Sequence, residues 1–163
     1  LAKDACRDLI KKWPKTDILA MHTNSLAPNR FAEEKGIWSI GFNLENADMF
    51  PDSYLTSCVW KWDKYYKDAI LSCLKGKFYG SVDWVSMEDG IVQLSDLTKN
   101  CVPGTEEAVE KARQLFVERS FDVFYGPIID NKGKLRIPEG ESMSEDEMRN
   151  HFDWYVEGVT VEK

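Results

Sequence analysis

Tyr54-Leu-Thr-Ser-Cys-Val-Trp-Lys-Trp-Asp-Lys-Tyr-Tyr66 is the stretch whose reading decides the fold. Its first half is rich in β-formers (Tyr54, Thr56, Val59) and reads as a strand. From Trp62 onward the apolar spacing becomes that of an amphipathic helix. Trp60 and Trp62 flank Lys61 at the changeover. Ligands collect at such junctions in α/β proteins, because backbone groups at strand ends are unpaired and side chains converge there.

Upstream, the same alternation of elements recurs. Residues 2–13 predict a helix with Ala2, Cys6, Leu9, Ile10 and Trp13 on one face, ending where Trp13 precedes Pro14. Residues 16–21 predict a short buried strand, and the polar His22-Thr-Asn-Ser25 follows it as a strand-to-helix loop. A helix then runs to about Lys35 and is stopped by Gly36. Residues 37–42 predict the next strand, with Trp38 as a core residue, and residues 43–48 the loop at its carboxyl end. Helix–strand–helix–strand at this spacing indicates an α/β fold, a parallel sheet with helical crossovers.

Downstream, the helix from Trp62 places Trp62, Tyr66, Ala69, Ile70, Cys73 and Leu74 on one face and stops near Gly76. Strands are predicted around 81–85 and 91–94. Thr105 is the expected N-cap of a helix to about Arg119, with glutamates in its first turn. Residues 122–125 predict a strand, 128–137 a hairpin turning at Asp130-Asn-Lys-Gly133, and Ser144-Glu-Asp-Glu147 a capping box. Trp154-Tyr-Val156 predicts a last strand. No internal repeat or low-complexity segment is present.

The 163 residues suffice for one ordinary core, and 43% hydrophobic with 30% charged residues is a globular composition. A net charge of −7 disfavours nonspecific binding to nucleic acid or an anionic membrane. No run of about 20 apolar residues exists to span a bilayer. The chain opens within a helix and without a methionine, which reads as the interior of something longer, so the missing leader says nothing of location. The cysteines Cys6, Cys58, Cys73 and Cys101 match no zinc or redox spacing. They read as small buried hydrophobes, with a disulfide as the alternative.

There is no phosphate-binding glycine loop, no Gly-x-Ser-x-Gly elbow and no paired-histidine metal motif. No cofactor or metal is expected. What remains is a binding constellation. His22, Thr23 and Asn24 follow one strand, Asn43 ends the next, and Trp60 ends a third. In a parallel sheet these ends share one edge and one crevice. An aromatic face with amide and hydroxyl groups suits a flat polar ring. The plainer alternatives stay open. The 22–25 loop either caps the following helix or faces a ligand, and Asn43 is equally an ordinary loop amide. Trp62 fits the apolar face of its helix, so Trp60 is the ligand candidate.

Five segments in order, His22-Thr-Asn-Ser25, Ala32-Glu-Glu-Lys-Gly-Ile37, Leu55-Thr-Ser57, Phe124-Tyr-Gly-Pro-Ile-Ile-Asp-Asn-Lys-Gly133 and Trp154-Tyr-Val-Glu-Gly-Val159, resemble the carboxyl half of the basic membrane protein family. These are substrate-binding lipoproteins of ABC importers, related to purine nucleoside receptors. The resemblance implies a periplasmic-binding-protein-like (type I) fold of two lobes with a ligand clamped between them. It implies no enzymatic activity, an ABC permease as partner, and an extracytoplasmic location with an N-terminal lipid tether. The implied ligand is a purine nucleobase or nucleoside. In those receptors a carboxylate falls at the place of Asn43 and a lysine at the place of Trp60. Both charged contacts are replaced here, which favours a nucleobase or similar flat ring.

The resemblance also implies a division of the chain. Residues 1–58 and 101–163 would belong to the carboxyl-terminal lobe, its first strand missing, and 61–98 to the amino-terminal lobe. Hinges would lie at Ser57, Cys58 and Val59 and at Asn100, Cys101 and Val102. The apolar face of the helix after Trp60 would lack its partner, so the chain alone should bind ligand weakly and expose that face or self-associate. The alternative function is a ligand-sensing regulatory module of the same fold. A third class, a small α/β enzyme working through carboxylates, lacks any visible nucleophile–base pair.

Overall fold

Ile18–Ala20 (β1), Trp38–Asn43 (β2) and Tyr54–Trp60 (β3) lie side by side and parallel in the computed structural model, which describes residues 1–161. Val92–Leu94 (β4) adds to the far side of β3 in the antiparallel sense, giving a mixed sheet of order β1-β2-β3-β4. The chain divides into two compact units, Leu1–Val117 and the remainder from Glu118.

In the first unit, Ala2–Lys12 (α1) forms where the apolar spacing placed it, and Ala27–Lys35 (α2) ends at Lys35 as expected. Pro28 sits in the first turn of α2, where its missing N–H costs nothing. Gly36 ends the helix at φ 66°, a conformation that suits glycine. The core joins Leu19, Phe31 and Ala32, with Cys6, Ile10 and Ile37 packed around them. It is therefore α2, backed by α1, that covers the Leu19 face of the sheet.

Side chains alternate along a strand, so Ile18 points to the opposite face. Trp38 is in register with Ile18 and shares that face. Both are substantially exposed, at 39% for Trp38, so the expected core role of Trp38 is corrected. Its pattern is strand-like, but α1 and α2 pack on the other side.

Beneath β2 the backbone of Gly41 touches the buried Tyr54. A Cβ at position 41 would collide with the tyrosine hydroxyl and with Ser57 Oγ. The Tyr54 hydroxyl donates to Leu44 O (3.2 Å) and accepts from Asn46 N (3.3 Å). One buried side chain thus holds the loop that leaves β2.

Trp62–Leu74 (α3) follows β3 directly. Trp62, Tyr66, Ile70 and Leu74 are all exposed, Leu74 at 79%. Cys73 is exposed as well, and the four cysteines are free thiols, so the buried reading fails for Cys73. Residues 81–85 form no strand: the segment folds irregularly, with Ser81 Oγ and Tyr65 Oη donating to Asp83. Thr105–Val117 (α4) begins at Thr105 itself, and Gly104 O accepts from Ala108 N, so Thr105 is inside the helix and not its cap.

The second unit is built on the hairpin of Ile128–Ile129 (β5) and Leu135–Ile137 (β6). Asp130 is 1% exposed and organises the turn. It accepts from the Lys132 and Lys134 amides (2.8 and 3.0 Å) and from Arg136 Nε (2.7 Å). The Lys134 amide, then the Arg136 guanidinium and the Lys132 amide, hold its carboxyl down at about 2 against the opposing effect of burial. The Arg136 guanidinium also lies 5.3 Å over the Trp154 ring. The predicted capping box is present: Glu147 accepts from Ser144 N and Oγ, and Glu147 N donates back to Ser144 Oγ. Two expected strands are reduced to single bridges, Tyr125 with Ser142 and Val156 with Asp130. Asp122 Oδ1 accepts from Phe124 N and turns the first of them out of extended geometry.

Candidate functional site

The carboxyl ends of β1, β2 and β3 point the same way, so the residues that follow them gather along one edge. His22 comes two residues after β1, Asn43 closes β2, and Trp60 closes β3. Phe42 stands between the outer two. Its ring meets His22 edge to face at 4.3 Å and 89°, and meets Trp60 at 5.3 Å and 86°. The three rings form a continuous row across the sheet.

Asn43 adopts φ 68°, a left-handed conformation that asparagine tolerates better than most residues. Its Nδ2 donates to Asn24 Oδ1 in the loop after β1. Ser25 Oγ accepts from Ala27 N (3.2 Å), so the end of this loop also serves the start of α2. Thr23 sits half-buried in the loop. The structure thus brings His22, Asn24, Asn43 and Trp60 to one edge, with Phe42 as the member that sequence reasoning missed. The sequence placed it only as the last residue of the predicted 37–42 strand.

The edge is a shelf rather than a closed cavity. Two hollows of the first unit lie elsewhere. One of about 430 Å³ lies between α3 and the 77–91 segment, and one of about 870 Å³ between α4 and the 93–97 segment. His22, Asn43 and Trp60 line neither of them.

The outgoing and returning chains run antiparallel beside this edge. Cys58 pairs with Leu94, Val59 with Gln93 and Trp60 with Val92. Ser57 O accepts from Ser95 N (2.8 Å), and Ser57 N donates to Ser95 Oγ (3.0 Å). Further back, Thr98 N donates to Leu55 O (3.0 Å), and Thr98 Oγ1 and Asn100 Nδ2 both donate to Tyr54 O. Cys101 Sγ lies 3.7 Å from Leu55 O, and Val102 is exposed. Ser57, Cys58 and Val59 therefore stand opposite residues 93–95, while Asn100 and Cys101 stand beside the start of β3. Burial pushes the Cys58 thiol up.

Residues 23–123 match the family model of ABC transporter substrate-binding proteins of the PnrA-like type. A purine-binding protein of Brucella abortus is 28% identical over 156 residues, 96% of this chain and 43% of that protein. A putative ABC transporter glucose-binding protein of Haloferax volcanii is 26% identical over 161 residues, 99% of this chain and 38% of that protein. The chain thus spans less than half the length of either relative. Among solved structures, a transcriptional activator of the comK gene from Bacillus halodurans superposes with a TM-score of 0.64 at 18% identity, over 74% of this chain and 44% of that one. An ABC transporter solute-binding protein from Conexibacter woesei superposes with a TM-score of 0.59 at 14% identity, over 75% of this chain and 41% of that one. These structures share the α/β fold of periplasmic-type binding proteins. With the family model covering more than half of its residues, the chain belongs to the PnrA-like family of ABC transporter substrate-binding proteins.

Proposed function

We propose that this chain supplies one wall of a solute-binding site in an ABC importer, and that the solute is a flat purine-type ring, a nucleobase in preference to a nucleoside. The observation that carries the reading is the ring row His22–Phe42–Trp60 lying beside the Asn24–Asn43 amide pair on one sheet edge. Trp60 offers a face for stacking. Asn43, Asn24, Thr23 and His22 offer donors and acceptors to the ring's edge. The named function of the Brucella relative is consistent with a purine. The work is recognition and not catalysis.

A shelf becomes a binding site when something closes over it. In this reading residues 1–58 and 101–163 belong to one lobe and 61–98 reach into a second, with Ser57–Val59 and 100–102 flexing where the two strands of chain run side by side. The partners are the small molecule and a permease that reads the closed form. The location is extracytoplasmic, with a lipid tether upstream of Leu1. The exposed Trp62–Tyr66–Ile70–Leu74 face of α3 packs on the second lobe, and in the chain alone it stays exposed or is buried by self-association.

Calorimetric titration of the full-length protein with adenine, adenosine and glucose tests this. Adenine is expected to bind most tightly, and Trp60→Ala to cost about 1–3 kcal/mol, the range of base–aromatic stacking. Glucose binding without binding of either purine compound would overturn the ligand class. Normal adenine binding by Trp60→Ala would remove Trp60 from the site.

A further inference from the structure

The Asn24–Asn43 contact has a consequence for which rings the edge can hold. A primary amide carries two N–H donors and a carbonyl with two lone pairs. The mutual bond consumes one N–H of Asn43 and one lone pair of Asn24. Among the described residues, neither side chain has another hydrogen-bond partner. The remaining N–H of Asn43 is thereby left beside the second lone pair of the Asn24 carbonyl. Turning both amides over reverses the roles and leaves the same complement, a donor next to an acceptor. The left-handed backbone of Asn43 and the bond to Asn24 together fix the side chain in advance, which lowers the ordering cost of binding.

We propose that Asn24 and Asn43 act as a single reading unit selecting rings whose edge sets a donor directly beside an acceptor. The chemical class is the amidine edge of a 6-aminopurine or the cis-amide edge of a 6-oxopurine. This rests on the reading of the sheet edge as the ligand site. A ring without such an edge leaves the pair half-satisfied, and an unpaired polar group at a closed site is costly. Because each amide holds the other in place, removing either disables both.

The test compares 9-methyladenine with 9-methylpurine, which differ only in the 6-amino group. Kd is measured by calorimetry for the full-length protein and for Asn24→Ala, Asn43→Gly and the double variant. Glycine at 43 keeps the positive-φ backbone. Should Asn43→Gly melt early, Asn24→Ala, at an exposed loop position, carries the test of the lost preference by itself. The wild type is expected to prefer 9-methyladenine by at least about tenfold. Each single variant should lose that preference, and the double variant should bind no more weakly than either single one, the signature of coupled residues. Losses that multiply in the double variant would overturn the proposal, as would equal wild-type binding of both rings, and in either case the edge would remain a ligand site. Wild-type protein that binds neither ring would remove the site reading itself and this proposal with it.

Discussion

Trp60 meets Phe42 edge to face at 5.3 Å, and the far side of Phe42 meets His22 at 4.3 Å, so the orientation of Trp60 is set from within the sheet. Each such contact contributes about 0.5–1.5 kcal/mol beyond its buried area. Phe42→Leu preserves apolar bulk and removes both contacts. Adenine affinity of the full-length protein should fall about three- to tenfold, the order that loss of one such contact produces. The near-UV circular dichroism of the indoles should change with it. Phe42→Tyr keeps the ring and should restore both readings. Unchanged affinity and spectrum in Phe42→Leu would show that Trp60 holds its orientation without help.

A second relationship lies under the site. Gly41 has no side chain because Tyr54 and Ser57 occupy the space, with Ser57 Oγ only 2.8 Å from where a Cβ would stand. Tyr54 in turn holds Leu44 and Asn46. Gly41→Ala should destabilise the protein by about 1–3 kcal/mol through overpacking. It should also loosen the loop after Asn43. Gly80→Ala, where a Cβ meets nothing within 4 Å, should stay within about 0.5 kcal/mol of the parent. Urea denaturation of the two variants side by side makes the comparison. Equal stabilities would mean that Tyr54 shifts aside freely.

The features legible in the sequence were those decided locally or by repetition. α1 follows from apolar spacing, the end of α2 from the glycine at 36, and the Ser144–Glu147 box from two side chains three residues apart. The shared edge of His22, Asn43 and Trp60 was legible because parallel strands with helical crossovers must put their carboxyl ends together. What failed needed a neighbour that sequence alone does not show. Residues 81–85 have strand composition, but the described segment pairs with no strand. Tyr125 and Val156 each find one bridge and no ladder. Trp38 alternates as a strand residue should, yet which face a helix covers is a tertiary matter. Phe42 was hidden for the same reason: only the register of three strands shows that it lies between His22 and Trp60.

Asp130 supplies a prediction in pH. Its carboxyl is depressed from an ordinary 3.8 to about 2, chiefly by the Lys134 amide, so the folded state favours the ionised form. A depressed folded value stabilises the protein above the unfolded pKa of about 3.9, and that contribution is lost as pH falls through about 2. The hairpin of the second unit should therefore hold its full stability at pH 7 and weaken progressively between about pH 4 and pH 2. Asp130→Asn removes the charge at every pH while keeping the shape. The variant should melt below the wild type at pH 7, where Arg136 loses its carboxylate partner. The gap between the two should narrow as the pH drops toward 2, because protonation makes the wild-type side chain neutral as well. Thermal melts at half-unit steps from pH 7 to pH 2 read this directly. A gap that stays constant across the range would show that the turn is held by its backbone geometry and not by the charge of Asp130.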